Sequence, residues 1–237
     1  MTDTEQLKAW LRESRHTVFL GGAGVSTASG IPDFRSAHGL YMQKKSGISY
    51  EEMLSIDYYR AHTEGFYDFL RNVMLYPDAK PNPAHYALAK LERDGLLEVV
   101  ITQNIDGLHQ AAGSKNVLEL HGSVHRNHCA RCGKAYTLAD ILSSQGVPRC
   151  TCGGVIKPDV VLYEEPLDEA TMNASLQAIR RADLLIVGGT SLNVYPAAGL
   201  LRFYRGSALV VINKTPTPAD AAASLVIQDA IGEVLGG

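Results

Sequence analysis

The chain has 237 residues, of which 46% are hydrophobic, and a formal net charge of −3 at pH 7. This length predicts one large core with a smaller appended module, and the slight negative charge argues against a nucleic-acid-binding protein, since such proteins are usually basic. No apolar run approaches the roughly 20 residues of a membrane-spanning helix, and the charged N-terminus does not resemble a signal peptide. We therefore expect a cytoplasmic protein that contacts neither membranes nor nucleic acid directly.

The first predicted elements are a capped helix and a series of short apolar runs. Thr2 and Glu5 have the spacing of a helix capping box, with Leu7, Trp10 and Leu11 as the buried stripe. Six apolar runs follow along the chain, at residues 17–20, 97–102, 117–120, 184–187, 208–213 and 225–227. Because they are apolar throughout and mostly separated by helical stretches, they predict an α/β fold with a parallel sheet covered on both sides.

Polar and titratable residues follow five of these runs. The stretches are GGAGVS, QNIDGLH, HGS, GGTSLNV and KTPTP. Ligands of open α/β sheets bind at the carboxyl ends of the strands. Strand-to-helix turns are commonly polar and glycine-rich, so one such end would mean little. Five polar stretches at the ends of predicted strands, with Asn104, Asp106, His121 and Asn213 among or beside them, predict a binding crevice.

The first of these loops continues as GGAGVSTASGIPDFR, residues 21–35. Gly22, Ala23 and Gly24 precede a predicted helix over residues 25–29, so their backbone amides suit a pyrophosphate at a helix N-terminus. Thr27 stands where the dinucleotide fingerprint has its third glycine, and no acidic residue ends a second strand about 20 residues on. The loop alone is a weak dinucleotide signal that argues against an ordinary dehydrogenase, and a tight turn is the alternative.

Two segments interrupt the alternation of strands and helices. Residues 36–80 are rich in aromatic residues without strand runs, which predicts a cofactor loop and a helical module. Residues 126–154 contain all four cysteines and are the predicted zinc-binding module. The two segments together are predicted to form a smaller lobe, and residues 1–35, 81–125 and 155–237 the larger domain.

The four cysteines form a C-x-x-C pair, Cys129 and Cys132, and a C-x-C pair, Cys150 and Cys152. Four thiolates suit a tetrahedral structural zinc ion that keeps no open position for catalysis. The tight second pair leaves open an alternative in which His128 replaces one sulfur. The clustering argues against four free thiols.

Two histidines, His109 and His121, lie in the polar stretches that follow predicted strands. His121 ends an apolar run, and Gly122 after it would allow a ligand to approach closely. A histidine at such a position is a candidate general base, although position alone favours this role no more than an ordinary one. His109 is as readily explained as a residue that packs on a helix neighbour.

Together these stretches resemble the sirtuins, NAD-dependent protein-lysine deacetylases, of the bacterial type. The resemblance covers essentially the whole chain, through GAGVSTASGIPDFR, TQNIDGLH, LHGS, the cysteine pairs, KPDVVLYEE, GGTSLNVYPAA and VVIN. It implies a Rossmann-like parallel-sheet domain with a smaller lobe made of a helical module and a zinc ribbon. It also implies that NAD is consumed, not reduced, with deacetylated lysine, nicotinamide and O-acetyl-ADP-ribose as products.

The resemblance also implies roles for individual residues. His121 would be the general base, and Asn104 would order the ribose and a water molecule. Val161 and Val194 would bind the acetylated peptide, and the four cysteines would bind zinc. The residues implied to contact NAD are Gly22, Ala23, Gly24, Thr27, Asp33, Phe34, Arg35, Gln103, Asn104, Ile105, Asp106, His121, Gly189, Thr190, Ser191, Asn213 and Ala230. Among them, Ile105 and Asp106 would hold the nicotinamide with Phe34 nearby. Thr190, Ser191 and Asn213 would contact the adenosine side, as would Ala230 through its backbone.

Two departures from the family pattern concern the substrate. Residues 163–165 read YEE where the family commonly has F-G-E, and the two glutamates suggest a preference for basic peptides. The branch of the family that removes acidic acyl groups has a Tyr-x-x-Arg pair where this chain has Tyr67 and Leu70, which predicts acetyl or longer apolar acyl groups. The adjacent Arg71 leaves this question open.

Three other functions compete with deacetylation. They are an NAD-dependent oxidoreductase, an ADP-ribosyltransferase or NAD glycohydrolase on the same scaffold, and a zinc-ribbon binding module without catalysis. The imperfect fingerprint argues against the first, His121 against the second and the polar strand ends against the third. We expect the protein to be a monomer.

Overall fold

The strands form one large sheet, one small sheet and a short hairpin in the computed structural model, which describes residues 2–34, 39–42, 44–45 and 47–236. In chain order the strands are β1 (Thr17–Gly21), β2 (Lys44–Lys45), β3 (Ile48–Ser49), β4 (Val99–Thr102), β5 (Val117–Glu119), β6 (Gly122–Cys129), β7 (Ala135–Tyr136), β8 (Ile156–Val160), β9 (Leu184–Gly188), β10 (Ala208–Ile212) and β11 (Leu225–Ile227). The α-helices are α1 (Asp3–Glu13), α2 (Tyr50–Met53), α3 (Ile56–Ala61), α4 (Thr63–Phe69), α5 (Pro83–Arg93), α6 (Leu108–Ala111), α7 (Leu138–Ser143), α8 (Glu169–Arg181) and α9 (Ile231–Gly236).

The six predicted apolar runs form a single parallel sheet in the order β11-β10-β9-β1-β4-β5. The chain builds this sheet outward from β1, first through β4 and β5 and then, on the other side, through β9, β10 and β11. The reversal of strand order beside β1 opens a crevice at the carboxyl ends of the strands. The predicted Rossmann-like parallel sheet is therefore confirmed.

Two apolar layers cover the faces of this sheet. Side chains alternate along β1, so that Phe19 packs into the layer with α1, α5 and α9, whereas Val18 and Leu20 pack into the layer with α8. Fully burying an aliphatic or phenyl side chain contributes roughly 1.5–3 kcal/mol. The predicted capping box of α1 is present, because Glu5 N–H donates to Thr2 Oγ1 over 3.2 Å and Thr2 N–H donates to Glu5 Oε2 over 2.7 Å.

A second body of structure contains the small antiparallel sheet β7-β6-β8 and the helices α2, α3, α4 and α7. Its core includes the fully buried rings of Phe66, Tyr67 and Phe69, and a π-helical turn, Leu70–Met74, continues α4. The small sheet runs from Gly122 to Val160 and so extends to both sides of the predicted zinc module. The domain boundaries stay a prediction.

The structure corrects two local predictions. Residues 25–29 do not form the predicted helix but two 3-10 turns, Ala23–Val25 and Thr27–Ser29, and Gly30 follows with φ of 83°. Thr27 Oγ1 donates to Gly24 C=O over 3.1 Å, a local side-chain bond that stabilises this turn. The short hairpin of β2 and β3 lies in the segment predicted to have no strands, because two-residue strands leave no periodic signal.

Within the described residues, no helix combines the length and apolar character needed to cross a membrane.

Candidate active site

A cleft of about 1140 Å³ opens at the carboxyl ends of the large sheet. The loops that follow β1, β4, β9, β10 and β11 line the cleft, and so do residues 160–165, at the end of β8 and just after it. Every residue that the resemblance assigned to NAD or peptide lines this cleft, except Arg35 and Asp106. Arg35 lies outside the described residues.

The loops after β1 and β9 touch each other through glycine backbone. Gly24 N–H donates to Gly189 C=O over 2.8 Å, and a Cβ on Gly24 would lie 2.8 Å from Gly189 Cα. Gly189 has φ of 59°, and a Cβ there would lie 2.5 Å from Val25 N. These two glycines are therefore required by contact between the loops, and this contact fixes the backbone of the cleft beside β1.

His121 is held with one ring nitrogen free. Its Nδ1 lies 2.9 Å from Gln103 C=O, and because a carbonyl only accepts, Nδ1 carries the proton and Nε2 keeps its lone pair. Burial lowers the pKa of His121, an effect that the bond to Gln103 partly opposes. The ring is therefore neutral at pH 7 and able to accept a proton, as a general base must be.

The predicted role of Gly122 in ligand approach is wrong. Gly122 has φ of 76°, and a Cβ there would lie 1.8 Å from Asp159 C=O in β8. The glycine is therefore needed for the close pairing of the start of β6 with the end of β8. Next to this pairing, Val161 N–H donates to His121 C=O over 3.0 Å, so the candidate base is joined to the predicted peptide-binding segment.

Ser26 connects Asn104 to Asp106. Asn104 Nδ2 donates to Ser26 Oγ over 3.0 Å, and Ser26 Oγ donates to Asp106 Oδ2 over 2.6 Å. The other carboxylate oxygen of Asp106 accepts from Leu108 N–H over 2.9 Å. Asn104 is buried, and its backbone N–H is fixed by Thr102 Oγ1 at 3.0 Å. The amide and the carboxylate are thus held in fixed orientations.

A fully buried histidine in the first turn of α5, His85, lies next to Ser26. His85 Nδ1 accepts from Asn82 N–H over 3.2 Å, so the neutral ring carries its proton on Nε2, which lies 3.4 Å from Ser26 Oγ. Burial lowers the pKa of His85 to about 4. The ring of His109 packs against it with a centroid distance of 4.8 Å, and burial beside His85 lowers the pKa of His109 to about 3.

Sequence reasoning missed Ser26, Asn82 and His85 as parts of this network. Ser26 lies inside the quoted glycine loop, so its presence there was a signal. His85 stands three residues after Asn82, and the pair forms a capping box at the start of α5. The spacing therefore predicts a capped helix and says nothing about Ser26, which is distant in sequence.

A second cavity, of about 450 Å³, adjoins the cleft and includes Asp106. Five residues line both cavities, namely Ala23, Phe34, Met74, Asn104 and Ile105. The predicted nicotinamide residues Ile105, Asp106 and Phe34 thus lie around this second cavity, and Phe34 stands at its boundary with the cleft.

Several residues predicted to contact the adenosine side of NAD already form hydrogen bonds within the protein. Thr190 Oγ1 accepts from Gln103 Nε2 over 3.0 Å, and Asn213 Nδ2 donates to Thr215 C=O over 2.7 Å. Ala230 N–H donates to Asp229 Oδ1 over 2.6 Å, so the backbone donor of Ala230 is already used. A contact between adenine and the Ala230 N–H would have to replace that bond.

The four cysteine sulfurs lie within 4.8 Å of one another, and among the described residues they are the group suited to hold a metal ion. Cys129 Sγ is 3.5 Å from Cys152 Sγ, and Cys132 Sγ is 3.6 Å from Cys150 Sγ. Sulfurs at 2.3 Å from a tetrahedral zinc ion are separated by about 3.8 Å, so the cluster fits zinc. The exposed His128 is not part of the group, which argues against the alternative ligand.

Comparison with known proteins agrees with this geometry. The model of the Sir2 family matches residues 22–196. An NAD-dependent protein deacetylase of Clostridium acetobutylicum is 57% identical over 97% of this chain and 95% of its own. One from Staphylococcus aureus strain N315 is 48% identical over 96% of this chain and 94% of its own.

Solved structures agree as well. A Sir2 chain with p53 peptide and NAD+ has a TM-score of 0.87 and 45% identity, and the match covers 98% of this chain and 95% of that one. A second, with deacetylated p53 peptide and 3′-O-acetyl ADP ribose, has a TM-score of 0.89 and 43% identity over the same shares. The family model covers well over half of the chain, and these relatives cover nearly all of it. The chain therefore belongs to the Sir2 family, the sirtuins that its motifs resemble.

Proposed function

We propose that this protein is an NAD-dependent protein-lysine deacetylase that forms deacetylated lysine, nicotinamide and O-acetyl-ADP-ribose. The observation that carries the proposal is the neutral ring of His121, whose free Nε2 belongs to a cleft of about 1140 Å³ lined by the glycine loops and the Val161 segment. The names of the Clostridium and Staphylococcus relatives support it, as do the NAD+ and peptide in similar Sir2 structures.

His121 acts as the general base. The acetyl oxygen would displace nicotinamide from the ribose of NAD, and His121 Nε2 would then accept the proton of a ribose hydroxyl as that hydroxyl attacks the acyl carbon. A water molecule would add at this carbon as its bond to the lysine nitrogen breaks, which gives free lysine and O-acetyl-ADP-ribose. The imidazolium formed keeps its bond from Nδ1–H to Gln103 C=O, an interaction that favours the charged ring. The backbone carbonyl of Gln103 thus both selects the tautomer and stabilises the product of proton transfer.

Asn104 and Asp106 orient the reacting end of NAD. Because Asn104 Nδ2 is bonded to Ser26, its Oδ1 is the atom available to a ribose hydroxyl or a water molecule. Asp106, fixed through both carboxylate oxygens, offers its remaining lone pairs to the amide N–H₂ of nicotinamide. Phe34, at the boundary of the two cavities, separates the reacting centre from water.

The peptide lies between residues 160–165 and the facing segment that includes Val194. Pairing with backbone gives affinity with little demand on sequence. Zinc, bound by Cys129, Cys132, Cys150 and Cys152, holds the turns of the small sheet together, and its four protein ligands give it no place in the chemistry.

Acyl selection follows from the end of α4 and the π-helical turn that continues it. The Tyr67 hydroxyl donates to Ile156 C=O and Leu70 is buried in the core, and neither residue lines the cleft. Arg71 Nη2 donates to Ser144 Oγ and Gly146 C=O, both at 2.7 Å, so its charge is directed away from the cleft. The protein therefore acts on acetyl or longer apolar acyl groups rather than acidic ones.

Nicotinamide release tests the function against its rivals. The protein is incubated with NAD and either an acetylated peptide or the same peptide unmodified. A deacetylase releases nicotinamide only with the acetylated peptide. Equal release with both indicates a glycohydrolase or ADP-ribosyltransferase, absorbance of reduced nicotinamide indicates an oxidoreductase, and the absence of NAD binding indicates a zinc-ribbon binding module.

Three further features belong to this proposal. They are a cytoplasmic location, a monomeric state and the absence of direct nucleic-acid contact, for which the net charge of −3 is the supporting observation. Light scattering of the purified protein, with and without DNA, tests the last two. A mass of one chain that DNA leaves unchanged is the expected result.

A further inference from the structure

The turn at residues 162–165 borders the cleft and has a backbone conformation that favours glycine. Glu165 N–H donates to Leu162 C=O over 3.0 Å, which makes these four residues a β-turn with Glu164 in the third position. Glu164 has φ of 72°, in the left-handed region that a type II turn requires at that position. Glycine adopts this conformation without strain, whereas a glutamate does not.

The neighbouring Glu165 has a structural role that uses its charge. Its Oε2 accepts from Leu162 N–H over 2.9 Å and from Lys157 Nζ over 3.0 Å. The first bond closes the turn, and the second neutralises the carboxylate beside it. Of the two glutamates expected to favour basic peptides, Glu165 is therefore committed to the fold.

The carboxylate of Glu164, unlike that of Glu165, neither closes the turn nor pairs with a lysine. It is exposed and lines the cleft, and no residue within the described ranges forms a hydrogen bond or ion pair with its carboxylate. The turn that carries it is anchored, because Tyr163 N–H donates to Leu54 C=O over 2.9 Å and Ile56 N–H donates to Tyr163 C=O over 3.1 Å. A fixed backbone thus holds one negative charge at this edge of the cleft.

The same segment carries backbone groups that an added peptide strand needs. Neither Val161 C=O nor Glu164 N–H has a hydrogen-bond partner in the part of the chain that the structure describes. Unpaired groups on an edge accept an extended peptide. Besides Glu164 and Glu165, the charged residues that line the cleft are Asp33 in the loop after β1, Lys214 and Asp229 in the loops after β10 and β11, and Glu233 in α9.

We propose that Glu164 is a specificity-determining residue that favours acetylated segments with an arginine or lysine beside the acetyl-lysine. The inference rests on the proposed deacetylase function. Backbone pairing binds any sequence, so the charge next to it discriminates between flanking residues. Exposed ion pairs are weak, and the preference amounts to about a two- to fivefold difference in KM.

Two peptides of equal length, with acetyl-lysine flanked by arginine in one and by glutamate in the other, test the proposal. The parent protein is expected to show a two- to fivefold lower KM for the arginine peptide, with kcat unchanged, and the ratio shrinks as salt is added. Glu164→Gln keeps the shape of the side chain and removes the charge, so its ratio falls to about one. Glu164→Gly removes the charge together with the backbone strain and gives the same ratio.

Asp57→Asn is the matched control, because the Asp57 side chain is 79% exposed on α3 and does not line the cleft. It should keep the parental ratio. A parental ratio retained by Glu164→Gln, or a ratio near one in the parent, overturns the inference while the deacetylase function stands. If neither peptide is deacetylated, the proposed function itself fails and this inference with it.

Discussion

Two buried histidines make the stability of this protein depend on pH. The rings of His85 and His109 are 0% and 1% exposed and lie 4.8 Å apart between their centroids. Burial lowers their pKa values to about 4 and about 3, whereas histidine in an unfolded chain titrates near 6.5. At pH 5 the folded protein therefore keeps both rings neutral, while the unfolded chain protonates both.

The magnitude follows from this difference in proton binding. The contribution of the neutral rings to the free energy of unfolding has its full value above pH 6.5. It falls as the pH drops from 6.5 toward 4, because the unfolded state binds more protons than the folded state in that range. Each pH unit in the window is worth about 1.36 kcal/mol per histidine. Lowering the pH from 7 to 5 thus costs roughly 2 kcal/mol for each ring and roughly 4 kcal/mol for the pair.

Urea unfolding at pH 7 and pH 5 measures this loss in the parent and in His109→Leu. The variant removes one titrating ring and two ring nitrogens that have no partner among the described residues. Between pH 7 and pH 5, the free energy of unfolding of the variant should fall by roughly 2 kcal/mol less than that of the parent. At pH 7 the variant should be no less stable than the parent, because an unpaired buried polar group costs about 1–3 kcal/mol.

The exposed His62 provides the control, since His62→Gln should lose as much stability as the parent does. Release of zinc at low pH affects all three proteins alike and cancels in the comparison. Equal losses in the parent and His109→Leu would refute the reasoning.

Three other predictions concern the base, the zinc ion and the acyl group. His121→Ala should still bind NAD in calorimetry but deacetylate at least about 10²-fold more slowly, and near-parental activity in this variant would contradict the assignment of His121 as the base. In the parent, kcat/KM should fall on the acid side only below pH 6.5, because burial lowers the pKa of His121. Cys129→Ala should release zinc to a chromogenic chelator and unfold the ribbon, whereas full zinc content would contradict the four-cysteine site. Succinyl-lysine should be processed at least about tenfold more slowly than acetyl-lysine, because Leu70 supplies no charge; equal rates in a peptide assay would contradict this.

The large sheet was predictable because its strands are short, wholly apolar runs bounded by polar loops. Each of the six predicted runs forms one of its strands. The elements that sequence patterns did not predict are short ones, namely β2, β3 and the 3-10 turns around Ser26. Their geometry depends on hydrogen bonds such as Thr27 Oγ1 to Gly24 C=O, which leave no periodic pattern in the sequence.

The candidate site was predictable where its residues form contiguous motifs. Asn104 and Asp106 stand in one strand-to-helix loop, and His121 follows the neighbouring strand, so sheet topology alone brings them to the same edge. The link from His85 through Ser26 to Asp106 joins three distant segments, and no local spacing reveals it. Gly122 was misread for a similar reason, since its close contact is with a strand more than thirty residues away.

Mass spectrometry of the products formed from an acetylated peptide tests the central claim most directly. With NAD present, the protein should convert the peptide to its deacetylated form and generate equal amounts of nicotinamide and O-acetyl-ADP-ribose, and without NAD the peptide should stay intact. Deacetylation that releases free acetate without consuming NAD, or a peptide and NAD that both remain unchanged, would contradict the account.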